Sequence, residues 1–321
     1  MSHRIGTRSM GLAAAVLLTT AGFCTAAPAQ AATPPLAAPR IVAHFDIAAG
    51  QQPENLALEP DGSVDLTFSF ARQVARWRPG TQPRILATVP APPPGTVVPL
   101  TGAAFVSGIV RAPGGDLYFL YTAGTDDLTG LWKLNRGSNT PYRIAALPAT
   151  SVPNGLDFSA GQFYASDSAN GIVWRIPGTG GVATAWSTAP ELSAPAGSFG
   201  VNGLKVHRGS VWVTNLAQGT LLRIPIERFG AAGPPRVIAG GLGSVDDFAF
   251  TGRGDDVLVA VNPDNRVEFV RSDGTHKTVL TAADGLQNPT SVALRGNLVY
   301  VPSAAYFTGI DPNLLTARLL Y

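Results

Sequence analysis

Cysteine is almost absent from this chain of 321 residues, Cys24 being the only one. Histidine occurs four times, methionine twice, and charged residues make up 14% of the whole. A single cysteine excludes an internal disulfide and a thiolate-rich metal site. It also lies in a stretch with the marks of a leader: Arg4 and Arg8, an apolar run from Met10 to Phe23, then Ala29-Gln30-Ala31 with small residues where a signal peptidase reads. Residues 1–31 are therefore expected to be a secretory signal peptide, cleaved near Ala31, and the protein is expected to be secreted. Phe23 argues against a lipoprotein anchor at Cys24, since that position calls for a small residue. The apolar run is too short for a membrane span, and nothing later in the chain resembles one.

Cleavage would remove two arginines and no acid, taking the formal charge from +2 to zero. A neutral mature chain lacks the electrostatic drive toward nucleic acid or an anionic membrane. Residues 32–39, rich in Ala and Pro, read as a linker. Helix-period patterning is scarce in the remainder, and short alternating strands separated by glycine take its place.

Those strands repeat. "VPNGLDFSAGQFYASDSANG" from Val152 is echoed by "GVNGLKVHRGSVWVTNLAQG" from Gly200, and related units begin at Glu54, Ser107, Asp246 and Thr290. The head positions 54, 107, 154, 202, 246 and 290 are separated by 53, 47, 48, 44 and 44 residues, close to the period of propeller blades. Each unit has a polar head, an alternating strand, a Gly-containing turn such as Ala160-Gly161 or Arg208-Gly209, and a second strand of aromatic and β-branched residues. A third strand carries Trp77, Trp132, Trp174, Leu222 or Phe269, expected to pack between sheets. Outer strands can be read in "PRILATVP", "TPYRIAALP", "VATAWST", "PRVIAGG" and "HKTVLTA". The chain is thus expected to be all-β, a single six-bladed β-propeller over 40–321. The sixth unit lacks an outer strand, and "RIVAHFDI", Arg40 to Ile47, belongs to no unit, so it is expected to close the ring.

The innermost strands of a propeller line its channel, so the heads Glu54, Ser107, Asn154, Asn202, Asp246 and Thr290 are expected to face one axis. All carry oxygen, and buried oxygens require a partner. Two carboxylates and two carboxamides, Glu54, Asn154, Asn202 and Asp246, suit a hard cation. Ca²⁺ accepts six to eight oxygens in irregular geometry, whereas Zn²⁺ favours nitrogen or sulfur, and no histidine occupies a head. The alternative for any one "NG" pair is ordinary turn chemistry. One calcium at the channel mouth is expected, with a second, deeper one left open.

"PENLALEPDGS", "PNGLDFS" with "YASDSANG", and "VDDFAF" resemble the blade-entry motifs of calcium-dependent six-bladed propellers. That superfamily includes the SMP-30/gluconolactonase/luciferin-regenerating-enzyme family, diisopropyl fluorophosphatases and paraoxonases, and the resemblance covers nearly the whole mature chain. It implies a catalytic Ca²⁺ held by Glu54, Asn154, Asn202 and Asp246, with Asp247 where some members have a further metal-binding Asn. Ser107 departs from the pattern, since paraoxonase-like members place a His there and gluconolactonase-like members often an amide.

Hydrolysis of a lactone or ester would then follow, with Ca²⁺ polarising the carbonyl and a carboxylate activating water. Asp246 is the first choice for that carboxylate, with Asp247 or Glu54 next. Two Pro-rich, weakly charged loops, "VPAPPPGTVVPLTGAAFV" and "STAPELSAPAGSFG", are expected to rim the mouth and to suit an uncharged or hydrophobic small molecule. Asp126-Asp127 reads as a turn and His207 as a packing residue. A non-catalytic, calcium-stabilised propeller binding a partner or small molecule, and a propeller enzyme of cyclisation or condensation, remain open alternatives.

Overall fold

Glycine turns and alternating strands build the same antiparallel unit six times. The computed structural model describes residues 1–3, 6 and 35–320. The chain divides into two units, Met1–Thr33 and Pro34–Tyr321, and every element below belongs to the second. The expected leader at 1–31 lies, apart from residues 1–3 and 6, outside the described residues.

Blade one comprises Pro53–Leu58, Val64–Phe68, Gln73–Trp77 and Arg84–Thr88, and blade two Phe105–Arg111, Leu117–Thr122, Gly130–Leu134 and Tyr142–Ala146. Blade three runs Pro153–Ser159, Gln162–Asp167, Ile172–Pro177 and Thr184–Ser187; blade four Val201–His207, Ser210–Asn215, Thr220–Pro225 and Arg236–Ala239. Blade five is Val245–Phe250, Val257–Val261, Arg266–Val270 and His276–Leu280. Blade six takes Ala293–Arg295, Leu298–Ser303 and Asn313–Leu319 from the C-terminal region and Leu36–His44 from the N-terminal side. Helix among the described residues amounts to three single 3₁₀ turns, none long and apolar enough to cross a membrane.

The hairpin turns have the chemistry their residues predict. Ala160-Gly161 and Arg208-Gly209 both have positive φ (49° and 77°, 46° and 68°), the mirror-image turn that matches strand twist. Ring closure occurs as expected, but four residues early. The closing strand pairs from Leu36↔Leu319 to His44↔Asn313 and stops short of Ile47. The expected linker at 32–39 is therefore part strand. Leu36 is buried in the core between blades five and six, and a register shift between Ala37 and Arg40, with Ala38 at φ 51°, absorbs Pro39. Composition alone hides this, because one buried leucine outweighs the Ala/Pro character around it.

The core is six clusters, one at each junction between blades. Trp77 packs with Phe68, Tyr300 and Leu314 between blades one and six, and Trp132 with Val74, Val106 and Phe119 between one and two. Trp174 flanks the cluster between two and three and Leu222 fills the one between three and four, but Phe269, expected in the same place, packs on the opposite face of its strand between five and six, where Val270 takes the four-to-five junction instead. Each such side chain contributes about 1.5–3 kcal/mol through burial. The third-strand aromatics thus hold the blades together, and the channel is left to the heads.

Candidate functional site

Each head in blades one to five sits at a break in strand register. Pairing jumps from Pro153↔Asp167 to Leu156↔Ala165, so Asn154 and Gly155 oppose Ser166 alone; Asn202 and Gly203 oppose Thr214 in the same way. Equivalent shifts fall at Glu54, at Ser107-Gly108 and at Asp246-Asp247. A bulge of this kind kinks the strand and re-aims its side chains. Its loose backbone groups are taken up by hydroxyls: Gly155 N donates to Ser166 Oγ at 2.7 Å, Gly203 N to Thr214 Oγ1 at 2.8 Å, and Asn55 N to Thr67 Oγ1 at 3.0 Å.

The glycines after the heads are not turn residues. A Cβ at Gly155 would lie 2.4 Å from Leu204 N, one at Gly203 2.6 Å from Asp247 Cα, and one at Gly108 2.3 Å from Asn154 O. Glycine is needed because the next innermost strand passes that close at the axis. The "NG" pairs thus encode contact between blades.

Hydrogen bonds cross every junction around this ring. Ser107 Oγ donates to Pro153 O at 2.7 Å and Thr290 Oγ1 to Pro53 O at 2.9 Å. Ser166 donates to Asn202 O, and Thr214 Oγ1 to Asp246 O at 2.5 Å. Val106 N donates to Ser69 O at 3.1 Å and Asp247 N to Thr290 O at 3.2 Å, completing the circle. The expectation that all six heads face the channel is corrected here. Ser107 and Thr290 spend their hydroxyls on a neighbour's carbonyl, and neither lines the cavity above.

Glu54, Asn154, Asn202 and Asp246 do come together. They form the floor of a cavity of about 440 Å³ whose wall includes Phe70, Phe105, Phe199, Leu216 and Phe307. Leu100, Thr101 and Phe105 come from the first Pro-rich loop and Phe199 from the second, so both loops rim the mouth as expected. Glu54 and Asp246 are each 5% exposed. Asn154 Nδ2 donates to Glu54 Oε1 at 3.3 Å and Tyr306 Oη to Glu54 Oε2 at 2.5 Å, while Asn262 Nδ2 donates to Asp246 Oδ2 at 3.1 Å.

Tyr306 and Asn262 are site residues that the sequence did not reveal. Tyr306 follows the last recognisable strand of blade six in a segment without repeat pattern. Asn262 lies in "AVNPDN", at the position where blades one to four carry Ser69, Thr122, Ser168 and Leu216, and a deviation at this repeat position is the one signal that could have found it.

Burial pushes the Glu54 carboxyl up to about 7, against the hydrogen bonds from Tyr306 and Asn154 and with some help from the Asp247 charge. Asp246 is raised well above the carboxylate range by burial first, then by the charges of Glu54 and Asp247. Two desolvated acids facing one cavity resist ionising together. Without metal, the folded state therefore holds protons that the unfolded chain releases between pH 4.5 and about 7. Stability from Glu54 is complete below that window and is lost as pH rises through it, on the order of 3 kcal/mol. We expect chelated protein to lose melting temperature from pH 5 to pH 8. A bound divalent cation holds both groups ionised and should remove or reverse that slope, which calorimetry across this range with chelator and with calcium would reveal.

The donors fit such a cation. Asn202 Oδ1 and Asn262 Oδ1 are buried without any hydrogen-bond partner, beside two carboxylates. Among the described residues no three His, Cys, Asp or Glu side chains cluster as a metal site, so the set is two carboxylates plus amides, all oxygen, the chemistry of Ca²⁺.

Asp247 is placed elsewhere. At 1% exposure it points away from the mouth, accepting from Lys205 Nζ at 2.6 and 2.7 Å, from Ser291 Oγ at 2.7 Å and from Asn55 Nδ2 at 3.0 Å. These donors join blades four, six and one, and both its oxygens are engaged. A second cation beneath the first would have to displace the Lys205 ammonium. Of the other singled-out residues, His207 stacks on Phe250 at 3.9 Å between ring centroids, and Asp126 Oδ1 accepts from Ala149 N at 2.8 Å, tying its loop to the connection between blades two and three.

No protein-family profile matches the chain. No curated protein matches it either. Solved structures do. It resembles a gluconolactonase from Xanthomonas campestris at 16% identity and TM-score 0.63, over 92% of this chain and all of that one. The calcium-binding protein regucalcin from Agrobacterium tumefaciens is similar at 13% identity and TM-score 0.64, over 88% and 93%. The PQQ-bound aldose sugar dehydrogenase of Streptomyces coelicolor aligns at 17% identity and TM-score 0.60, over 89% and 99%. At these identities the likeness is one of fold, a fold shared by a gluconolactonase and a PQQ-bound sugar dehydrogenase.

Proposed function

We propose that this protein is a calcium-dependent hydrolase of a lactone or ester, acting after export and resembling the gluconolactonase and regucalcin type of propeller. The observation that carries this reading is the cavity floor: two desolvated carboxylates and two unpartnered amide oxygens beneath an apolar wall. When bound there, calcium supplies Lewis-acid polarisation of the substrate carbonyl. Glu54, Asn154, Asn202 and Asp246 hold the cation, with Asn262 Oδ1 as an additional donor.

In this reading Asp246 is the carboxylate that acts on water. Its Oδ2 is fixed by Asn262, which leaves Oδ1 to take a proton as the water oxygen attacks the carbonyl carbon and to return it to the leaving alkoxy oxygen as the acyl C–O bond breaks. The Phe70, Phe105, Phe199 and Leu216 wall excludes bulk water and strengthens each electrostatic interaction at the floor. Among the described residues no His, Lys or Arg lines the cavity, which favours an uncharged substrate.

Ser107 supports a non-catalytic calcium-bound propeller as second reading, since its hydroxyl is committed to Pro153 O and offers no proton relay at blade two. One experiment separates the two. Lactones, aryl esters and organophosphates are offered to the protein with calcium and then with chelator. Calcium-dependent turnover that falls about 10²–10⁴-fold in Asp246→Asn is expected. Turnover at the wild-type rate in that variant, with calcium still bound, removes Asp246 from the chemistry. Calcium-dependent stability without turnover of any substrate supports the second reading.

A further inference from the structure

Tyr306 reaches the cavity floor through a turn that the surrounding structure over-determines. Ala305, just before it, has φ 53°, a left-handed conformation that costs a non-glycine residue energy and persists only where neighbours enforce it. Here they do. Ala304 N donates to Asn288 O at 3.0 Å and Ala305 N to Gln287 O at 2.7 Å. The buried Asn288 accepts from Phe307 N at 2.8 Å and Thr308 N at 3.0 Å through Oδ1, and Gln52 Nε2 holds Ala304 O at 3.1 Å. The Tyr306 ring lies edge-on to Phe70, with centroids 5.7 Å apart, and its hydroxyl ends 2.5 Å from Glu54 Oε2.

We propose that Tyr306 is a positioning residue of the metal site: by holding Glu54 Oε2, it fixes the carboxylate so that Oε1 is the oxygen offered to the cation. A carboxylate on two flexible torsions would otherwise lose orientational freedom on binding, a cost that a preorganised partner removes. A short bond from a phenol to an ionised oxygen is among the stronger hydrogen bonds available to it. The same bond keeps Glu54 from turning both oxygens to the metal, which leaves coordination space for a substrate carbonyl. This inference rests on the calcium reading above and concerns only how the site is held.

Calcium titration calorimetry on the full chain tests it, comparing wild type, Tyr306→Phe and Leu314→Ala. Tyr306→Phe keeps the ring and its packing, so the metal-free melting temperature should fall by only the few degrees that one buried hydrogen bond is worth. Its calcium affinity should fall about tenfold or more, the consequence of losing one hydrogen bond to a charged acceptor. Leu314→Ala, which loosens the core between blades six and one without lining the cavity and leaves the phenol in place, should bind calcium within about twofold of wild type. Equal affinity in Tyr306→Phe and wild type overturns the proposal. So does an equal loss in both variants, which would make the role one of packing. A wild-type protein that binds no calcium overturns the metal reading itself, an outcome recognisable because it appears before any substitution is made.

Discussion

A variant lacking Leu36–His44 is expected to melt more than about 10 °C below the intact protein and to associate through the edge it exposes. The deleted strand pairs at six positions with Asn313–Leu319, from Leu36↔Leu319 to His44↔Asn313. At about 1 kcal/mol net for each backbone hydrogen bond, with about 2 kcal/mol for burying Leu36, the loss exceeds roughly 5 kcal/mol. That is a large part of the 5–15 kcal/mol that ordinarily separates folded from unfolded. The exposed edge would belong to "NLLTARL", whose Leu314, Leu315 and Ala317 are fully or almost fully buried in the intact ring. Calorimetry with size-exclusion chromatography reads both effects, and an unchanged melting temperature would show that the ring does not depend on this closure.

Lys205→Met is expected to destabilise the protein by about 3 kcal/mol. Breaking a buried ion pair by removing one partner leaves an uncompensated charge and costs about 3–5 kcal/mol, and the lower end applies because the lysine side chain is 24% exposed. Asp247 would keep Asn55 and Ser291 as donors but lose its counter-charge. Asn in place of Asp247 removes the charge, so the double variant Lys205→Met/Asp247→Asn should recover most of the loss. A coupling above about 1 kcal/mol in that double-mutant cycle is expected. Additive effects would mean that the two groups do not act as a pair. The consequence reaches the mouth, because Asp247 is bonded in sequence to Asp246, and Asn55 to Glu54. The clamp that joins blades one, four and six therefore also sets the backbone from which two cavity carboxylates project.

Much of this was legible before any coordinates. Alternation of period two, glycine at the hairpin corners and a recurrent polar head are local features, and six copies at blade period suffice for the fold. The heads that meet at the floor, Glu54, Asn154, Asn202 and Asp246, stand out because they carry acids or amides where Ser107 and Thr290 carry hydroxyls. Even the glycines of "SG" and "NG" were visible, although their reason, the passage of a neighbouring strand within 3 Å of a Cβ, is not a property of either blade alone.

What the sequence by itself determined, then, is the repeat: how many blades, where each begins, and which oxygens stand at the heads, because backbone propensity and turn chemistry act over a few residues. The tertiary structure alone decided which of those oxygens remain free. Whether a head faces the cavity or a neighbour's carbonyl depends on what the adjacent blade presents to it, since Ser107 sits at the same kind of bulge as Asn154 and still turns to Pro153 O. Tyr306 and Glu54 meet across 252 residues, and Lys205 and Asp247 across 42, with no local pattern to announce either contact. The first pair follows from ring closure, since only a closed propeller brings its last blade against its first, and the second from the packing of blade four against blade five.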